Sequence, residues 1–435
     1  VGFLAKAGAF PLHIWLPTAH PVAPAPASGV LSGVIIKSGI FGVLAVSTQV
    51  FRSHTLWGTL IFSIGLATMV TGAVLALFSI DFKRTLACSS VSQIGFILTG
   101  VGMQCLLGEE GALAASGTLL HLFNHASIKL ILFPAAGVIY CFTHTFDLNR
   151  IRGFGRRQPW LMAVMAVPML SLAGVPGFSG YVSKTLLHEA IVEYIHLRGG
   201  SVWFTAAEWI FLLTGGLTAA YLLKLFAAVF LEPTPPDAPW LGQKNRMSLT
   251  SGLTLTVCTA ALLPLGWLPN RLMEPLAAFT IPFLTDAHPH AVSYFTAENL
   301  RGAVISLIVG LVVYLWVVRR ALIAEEDGDT RYLDRWPKWL SLEDRVYRPL
   351  LLKVLPFVGG LAARLAETLV DGTVALAGKL LYHRQTRTVE PEVDPDFAAF
   401  SSQPPPRRGF RYSFAYSLML MGLGMAGCLL YLILS

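Results

Sequence analysis

The chain has 435 residues, of which 54% are hydrophobic and 13% charged, whereas a soluble globular domain carries about 25% charged residues. With a mean hydropathy of +0.62, a soluble enzyme, a disordered chain and a nucleic-acid binder are all poor readings. The net charge of +7 instead fits a membrane protein with basic loops, whose partner is the lipid bilayer and not nucleic acid.

A bilayer core needs about 20 apolar residues in a helix. In chain order, residues 1–17 give a partial span interrupted by Pro11 and Pro17. Stretches 24–48, 57–78, 85–104 and 112–142 are each sufficient. Residues 159–197 read as one broken span, with Gly174, Pro176, Gly177 and Gly180 mid-way. Stretches 203–231, 248–268, 301–320 and 413–434 bring the expectation to about ten passes. The chain enters its first apolar stretch at Val1 without a charged leader, so it is expected to be a fragment that begins inside a membrane helix.

Loop charge sets the expected direction. One side collects Lys83, Arg84, Arg150, Arg152, Arg156, Arg157, Lys244, Arg246, Arg319 and Arg320; the other collects Arg52, Arg198, Arg271 and Arg301. Ten against four makes the first side cytoplasmic. Residues 345–384 carry an apolar stripe (Leu351, Leu355, Val358, Leu365) interrupted by Arg348, Lys353, Arg364 and Asp371. Such a helix is expected to lie along the cytoplasmic surface, kinked at Pro356. A Pro-rich linker follows at 385–411. The fold class is therefore all-α: a polytopic transmembrane bundle with two broken helices and a C-terminal lateral amphipathic helix. Its expected parts are an ion-translocating core (1–232), accessory transmembrane helices (233–322), the lateral helix with its linker (323–411) and a final transmembrane helix (412–435).

Cations inside apolar spans carry the functional reading. A mid-helix Lys costs about 2.5–3.5 kcal/mol on insertion scales, whereas one near a helix end can snorkel. Lys37 sits half-way along its span. His121, His125 and Lys129 are spaced i, i+4, i+8, within about 80° of one helix face and across roughly 12 Å. Neutral His both accepts and donates a proton, so such a ladder suits proton hopping. Lys6 lies five residues before Pro11, and Lys184 eight after Pro176. Broken membrane helices beside ionisable groups point to ion sites. The order Lys–Pro, then Pro–Lys, is what an inverted repeat produces. Lys224, near its span's end, reads as snorkelling. Glu189 and Glu193 are candidate partners of Lys184, and His13, His20, His188 and His196 are weaker candidates. The five cysteines form no CxxC pair and read as buried apolar residues. HExxH is absent and GVPGFSG lacks the ending of a phosphate loop, so no catalytic residue, metal or cofactor is expected.

These motifs resemble a known family. KAGAFPLHIWLPTAHPVAPAPASGVLSGVIIKSGIFG, DFKRTLACSSVSQIGFILTG, LLHLFNHASIKLILFPAAGVIY and LAGVPGFSGYVSK are similar, in order and spacing, to antiporter-like subunits of respiratory complex I, membrane-bound hydrogenases and Mrp-type cation/proton antiporters. The resemblance covers residues 1 to about 232, and the 345–434 segment resembles the lateral helix of the longest such subunits. It implies proton movement through paired half-channels, other membrane subunits as partners, and residence in the cell's inner (plasma) membrane. Protons, or Na+ in the antiporter branch, are the implied ions. By the same resemblance Lys6 matches the lysine of the first broken helix and Lys37 the bridging lysine. Lys129 matches the central lysine preceded by His121 and His125, and Lys184 the lysine of the second broken helix, linked to the outlet. Two departures stand out: the glutamate partner of Lys6 is absent, and Thr185-Leu186 replaces an acidic pair. The AHP and PAPASG segments are closer to the hydrogenase-associated branch. Three functions follow for comparison: a proton-translocating subunit of a redox-driven complex, a subunit of a Na+/H+ antiporter, and a membrane-embedded transferase. The last needs polar groups at one membrane face, where this chain places them mid-membrane.

Overall fold

The computed structural model describes residues 1–235, 238, 240, 248–284, 292–326, 329–337 and 343–381. The linker 385–411 and the span 413–434 lie outside them. Two units are distinguished, Val1–Tyr347 and Arg348–Ser435.

The first unit is a helical bundle. Its opening segment is short: α1 (Gly2–Ala7) stops at Gly8, whose φ of 75° ends the helix in the left-handed region. The chain turns through Pro11 and resumes as α2 (Trp15–Val22). The long helices follow: α3 (Ala25–Gln49), α4 (Thr55–Phe78), α5 (Phe82–Leu107) and α6 (Ala112–Thr143). The second break separates α7 (Pro159–Ala173) from α8 (Ser179–Leu197). After it come α9 (Val202–Leu231), α10 (Leu249–Trp267), α11 (Pro269–Leu284) and α12 (Ala297–Ala321). Seven of these helices match predicted spans and are long and apolar enough to cross a membrane. Amphipathic α11 is an addition: it packs Met273, Ala277 and Ile281 into an apolar cluster with Leu120 of α6.

Close packing of α4 on α5 fixes the centre of the bundle. Gly72 and Gly95 lie where a Cβ would come within 2.3 Å of Ser92 N and 2.2 Å of Met69 N respectively, so the two backbones touch. Small residues allow such approach in membranes, where dispersion and not water exclusion drives helix association. As a result α5 is buried on all sides from Thr85 to Leu107, although it carries Ser89, Ser90, Ser92 and Gln93.

A β-hairpin closes one end of this unit. Its strands β1 (Ile323–Glu326) and β2 (Asp329–Tyr332) are the strand content of an otherwise helical set of described residues. Asn149 exchanges two hydrogen bonds with the Tyr332 backbone, at 3.0 and 2.7 Å, and Arg152 Nη1 donates to Thr330 Oγ1 at 2.8 Å. Tyr332 Oη donates to the buried Glu232 at 2.6 Å; burial, reinforced by this carboxylate, pushes the phenol pKa well up. Tyr347, the last residue of the unit, donates its hydroxyl to Pro11 O.

In the second unit α13 (Leu355–Leu381) continues from a wide helical turn at Leu350–Val354. Its apolar stripe is solvent-facing in the isolated chain: Leu351, Leu355, Leu361, Leu365 and Leu369 are all exposed. The helix runs through Pro356 without a break, directly after that wide turn, whose longer pairing accommodates a residue that donates no amide. By length and composition Glu343–Thr373 is also apolar enough to cross a membrane.

Candidate functional site

Three titratable side chains project from α6 into the core, where they meet side chains and carbonyls of α3, α5 and α8. His121, His125 and Lys129 are 1%, 0% and 0% exposed. Nδ1 of His125 lies 2.8 Å from Lys37 Nζ. Lys37 also donates to Ser32 O at 2.5 Å. That carbonyl belongs to the wide π-turn Leu31–Ile35 of α3, a geometry that loosens the normal helical pairing and leaves room for the amine. One turn away Lys129 Nζ donates to Leu86 O at 2.8 Å and to Ser89 Oγ, both on α5. His121 sits between Gln93 Oε1 on α5 and Ser183 Oγ on α8, at 3.0 Å from each. An amide oxygen only accepts, so the neutral ring carries its proton on Nε2 and takes the serine proton at Nδ1. Asn124 continues the network, donating to Ser183 Oγ at 3.0 Å and Ser179 O at 2.8 Å. The buried Tyr221 hydroxyl of α9 lies near Ser89, Gln93 and Thr218 without a hydrogen-bond partner among the described residues.

The second break positions Lys184. α7 ends at Gly174 with φ 82°, and α8 restarts five residues later. Ser171 Oγ bridges the gap, accepting from Gly180 N at 3.0 Å and contacting Ser179 Oγ at 2.8 Å. Lys184 Nζ reaches back to Leu172 O at 2.8 Å, a last-turn carbonyl left without an intrahelical partner. Its amine also lies over the Phe96 ring, 5.0 Å from the centroid. The break expected near Lys184 is thus joined to it directly.

Lys6 is exposed on α1 in this chain. Other expectations are corrected. Lys224 does not snorkel: it is 1% exposed and caps the end of α4, donating to Ala76 O, Leu77 O and Ser79 O at 3.1, 2.6 and 2.6 Å. The end of its own apolar run faces the end of another helix. Glu189 pairs with His188 and not with Lys184. Cys88 and Cys105 are buried as expected, but Cys141 and Cys258 are exposed on outward helix faces. Lys83, assigned to a basic loop, is buried and donates to Ala23 O. His20 is wholly buried, stacked on Phe133 at 4.7 Å, with neither ring nitrogen hydrogen-bonded. Gln93, Asn124, Ser183 and Tyr221 are additions to the expected set; the polar run SSVSQ within an apolar span signals Gln93, and the other three carry no comparable signal. No cluster of three His, Cys, Asp or Glu able to hold a metal occurs among the described residues.

Comparison with known proteins places this geometry. Residues 1–207 match the transmembrane family described as NADH:quinone oxidoreductase/Mrp antiporter. The chain is 33% identical over 294 residues to hydrogenase-4 component B of Escherichia coli, covering 64% of this chain and 43% of that protein. It is 32% identical over 235 residues to NAD(P)H-quinone oxidoreductase chain 4 2 of Thermosynechococcus vestitus, covering 53% and 42%. The chain therefore spans less than half the length of these relatives. Among solved structures it resembles the Mrp complex of Dietzia sp., with TM-score 0.57 and 22% identity over 71% of this chain and 60% of that one. It also resembles respiratory complex I of Thermus thermophilus, with TM-score 0.53 and 25% identity over 65% and 57%. This is a multi-pass membrane protein that, through residues 1–207, belongs to the NADH:quinone oxidoreductase/Mrp antiporter family of antiporter-like membrane subunits.

Proposed function

We propose that the chain moves protons across a cell's inner membrane as one subunit of a redox-driven complex of the complex I or hydrogenase kind. The observation that carries this reading is the 2.8 Å contact of Lys37 with His125, two titratable groups from different helices inside the membrane-buried core. Burying a cationic side chain there is costly, and a purely structural need would be met by any uncharged donor. The remaining stations of the proposed relay are Lys129 with Ser89, His121 with Gln93 and Ser183, and Lys184 at the second break. Water between these groups would complete the path in this reading. Serine hydroxyls and neutral imidazoles carry protons in either direction.

Residues 1–232 form the translocating core in this reading, and 233–322 the accessory helices. The amphipathic segment within 323–411 lies along the cytoplasmic face against neighbouring subunits, and 412–435 makes a final pass. Exposed apolar residues on α13 support such a role. Lys6, exposed on α1, belongs to the same relay in this reading, with its partner supplied by another membrane segment. A Na+/H+ antiporter subunit without a redox partner is the second reading. The likeness to an Mrp complex bears on the fold, whereas the hydrogenase and quinone-reductase relatives share more sequence. The test is proton uptake into inverted membrane vesicles, read by acridine-dye quenching, with NADH, hydrogen and formate supplied in turn. One donor should drive quenching, and Lys129→Ala should abolish it while the complex still assembles. Quenching unchanged in Lys129→Ala, or driven by none of the donors, refutes the reading.

A further inference from the structure

His188 lies one turn beyond Lys184 on α8, and a spacing of four residues puts the two on one helix face, about 6 Å apart in height. Its ring is held between two carboxylates from two helices. Nε2 is 3.2 Å from Glu208 Oε1 on α9, and Nδ1 is 3.8 Å from Glu189 Oε1 on α8. The imidazole is largely enclosed, at 15% exposure, while the carboxylates are 29% and 26% exposed. From α12 the ring meets Gly302, where a Cβ would stand 3.5 Å from Cε1, and from α9 it meets Phe211. His196, two turns further along α8, is near enough to Glu208 to act on it electrostatically.

A cavity of about 40 Å3 lies between the two bases, lined by Lys184, His188, Asn299, Ser306 and Phe96 among others. That is room for at least one water molecule, which needs about 10–15 Å3 of such space and polar partners to be held. The Lys184 amine, the imidazole and the Asn299 amide supply them. The burial gradient runs outward from Lys184 through His188 to two partly exposed carboxylates.

We propose that His188, with Glu208 as its partner, is the station through which protons pass between Lys184 and the surface where α8 ends. This rests on the proton-pumping reading above and names the outer end of that path. The Lys184 ammonium gives a proton to the cavity water, and that water passes one of its own to the imidazole. The imidazole yields the proton on Nε2 to the Glu208 carboxylate, which releases it to bulk water. Each N–H or O–H bond broken is matched by one formed, and no electrons move. A path through an imidazole carries protons and not alkali cations, which need several oxygen ligands at once.

The test uses the whole complex in inverted vesicles, with the donor that drives dye quenching in wild type. His188→Gln keeps an amide that can hydrogen-bond Glu208 but cannot carry a proton, so it separates relay from packing. We expect the initial rate of proton uptake to fall about tenfold, and Glu208→Gln to lower it severalfold, with assembly on native gels unchanged. Lys184→Ala serves as the reference for a blocked path. Uptake within twofold of wild type in both His188→Gln and Glu208→Gln, while Lys184→Ala stops it, overturns this inference and leaves the proposed function standing. Uptake unaffected in all three refutes both.

Discussion

Lys224 offers the sharpest separation of a structural lysine from the relay. Replacing it with Met keeps the length of the side chain and removes the amine. Three carbonyls at the end of α4 then change state. Ser79 O keeps a weak bond from Thr85 Oγ1 at 3.4 Å, but Ala76 O and Leu77 O lose the side-chain donor that satisfies them. A buried acceptor left unmade costs about 1–3 kcal/mol, and there is little water at this depth to replace the bond. Two such groups give about 2–6 kcal/mol, reduced by the desolvation no longer spent on the amine, so we expect about 2–4 kcal/mol. That corresponds to a change of about 30- to 1,000-fold in the folding equilibrium. The assay is the unfolding midpoint of purified protein in mixed detergent micelles, followed by tryptophan fluorescence. Lys353→Met, in the exposed wide turn ahead of α13, is the control, expected to stay within about 0.5 kcal/mol of wild type. A Lys224→Met protein as stable as this control would show that the carbonyls find other partners and that the capping argument fails.

Asp81 caps α5, accepting from Arg84 N at 2.6 Å, yet burial raises its pKa above the ordinary carboxylate value. An acid that is harder to ionise when folded favours folding most when protonated, and that contribution is lost as pH rises from about 4 through the raised pKa; Asp81→Asn, an equal cap, should stabilise the protein at neutral pH and flatten this dependence in denaturation midpoints measured from pH 4 to 8. Gly95→Val forces a Cβ against the Met69 backbone, 2.2 Å away, and should cost at least about 3 kcal/mol, seen as loss of folded protein in detergent. Gly359→Ala, with open space around it, should be neutral or slightly stabilising in the same measurement. Cysteine placed at exposed Arg364 should react with an impermeant maleimide from the cytoplasmic side; labelling from the other side alone would contradict the proposed topology.

The spans were legible because about twenty apolar residues in a row admit few alternatives. Lys37, Lys129 and Lys184 were legible for a related reason: a cation is so costly in such a run that its presence demands an explanation. What they touch was not. Lys37 and His125 are 88 positions apart, and only the packing of α3 on α6 brings them together. Lys224 was misjudged because sequence shows how far a residue is from the end of its own span, not which neighbouring helix ends beside it. Ser89 and Ser90 left little trace, since such hydroxyls also bond back to their own helix, as both do to Leu86 O here. The break before Lys184 could be read from Gly174 and Pro176, but the use of its free carbonyl by the lysine itself could not. The β-hairpin had no apolar alternation to announce it; its place is set by hydrogen bonds from Asn149 and Arg152.

The glycine contacts between α4 and α5 bear on how any transport cycle can move. With Gly72 against Ser92 N and Gly95 against Met69 N, the two helices meet backbone to backbone over several turns, with no flexible side chains between them to absorb sliding. A shift of even a fraction of an ångström there would bring main-chain atoms into collision, because tightly packed surfaces do not deform gradually. Ser89 and Gln93 are thus mounted on a stator. Displacement has to come from the parts that face it: the wide turn ahead of Lys37, and the stub of α8 hinged at Gly174. In such a machine Lys37 and Lys184 would travel while Ser89 and Gln93 stay still.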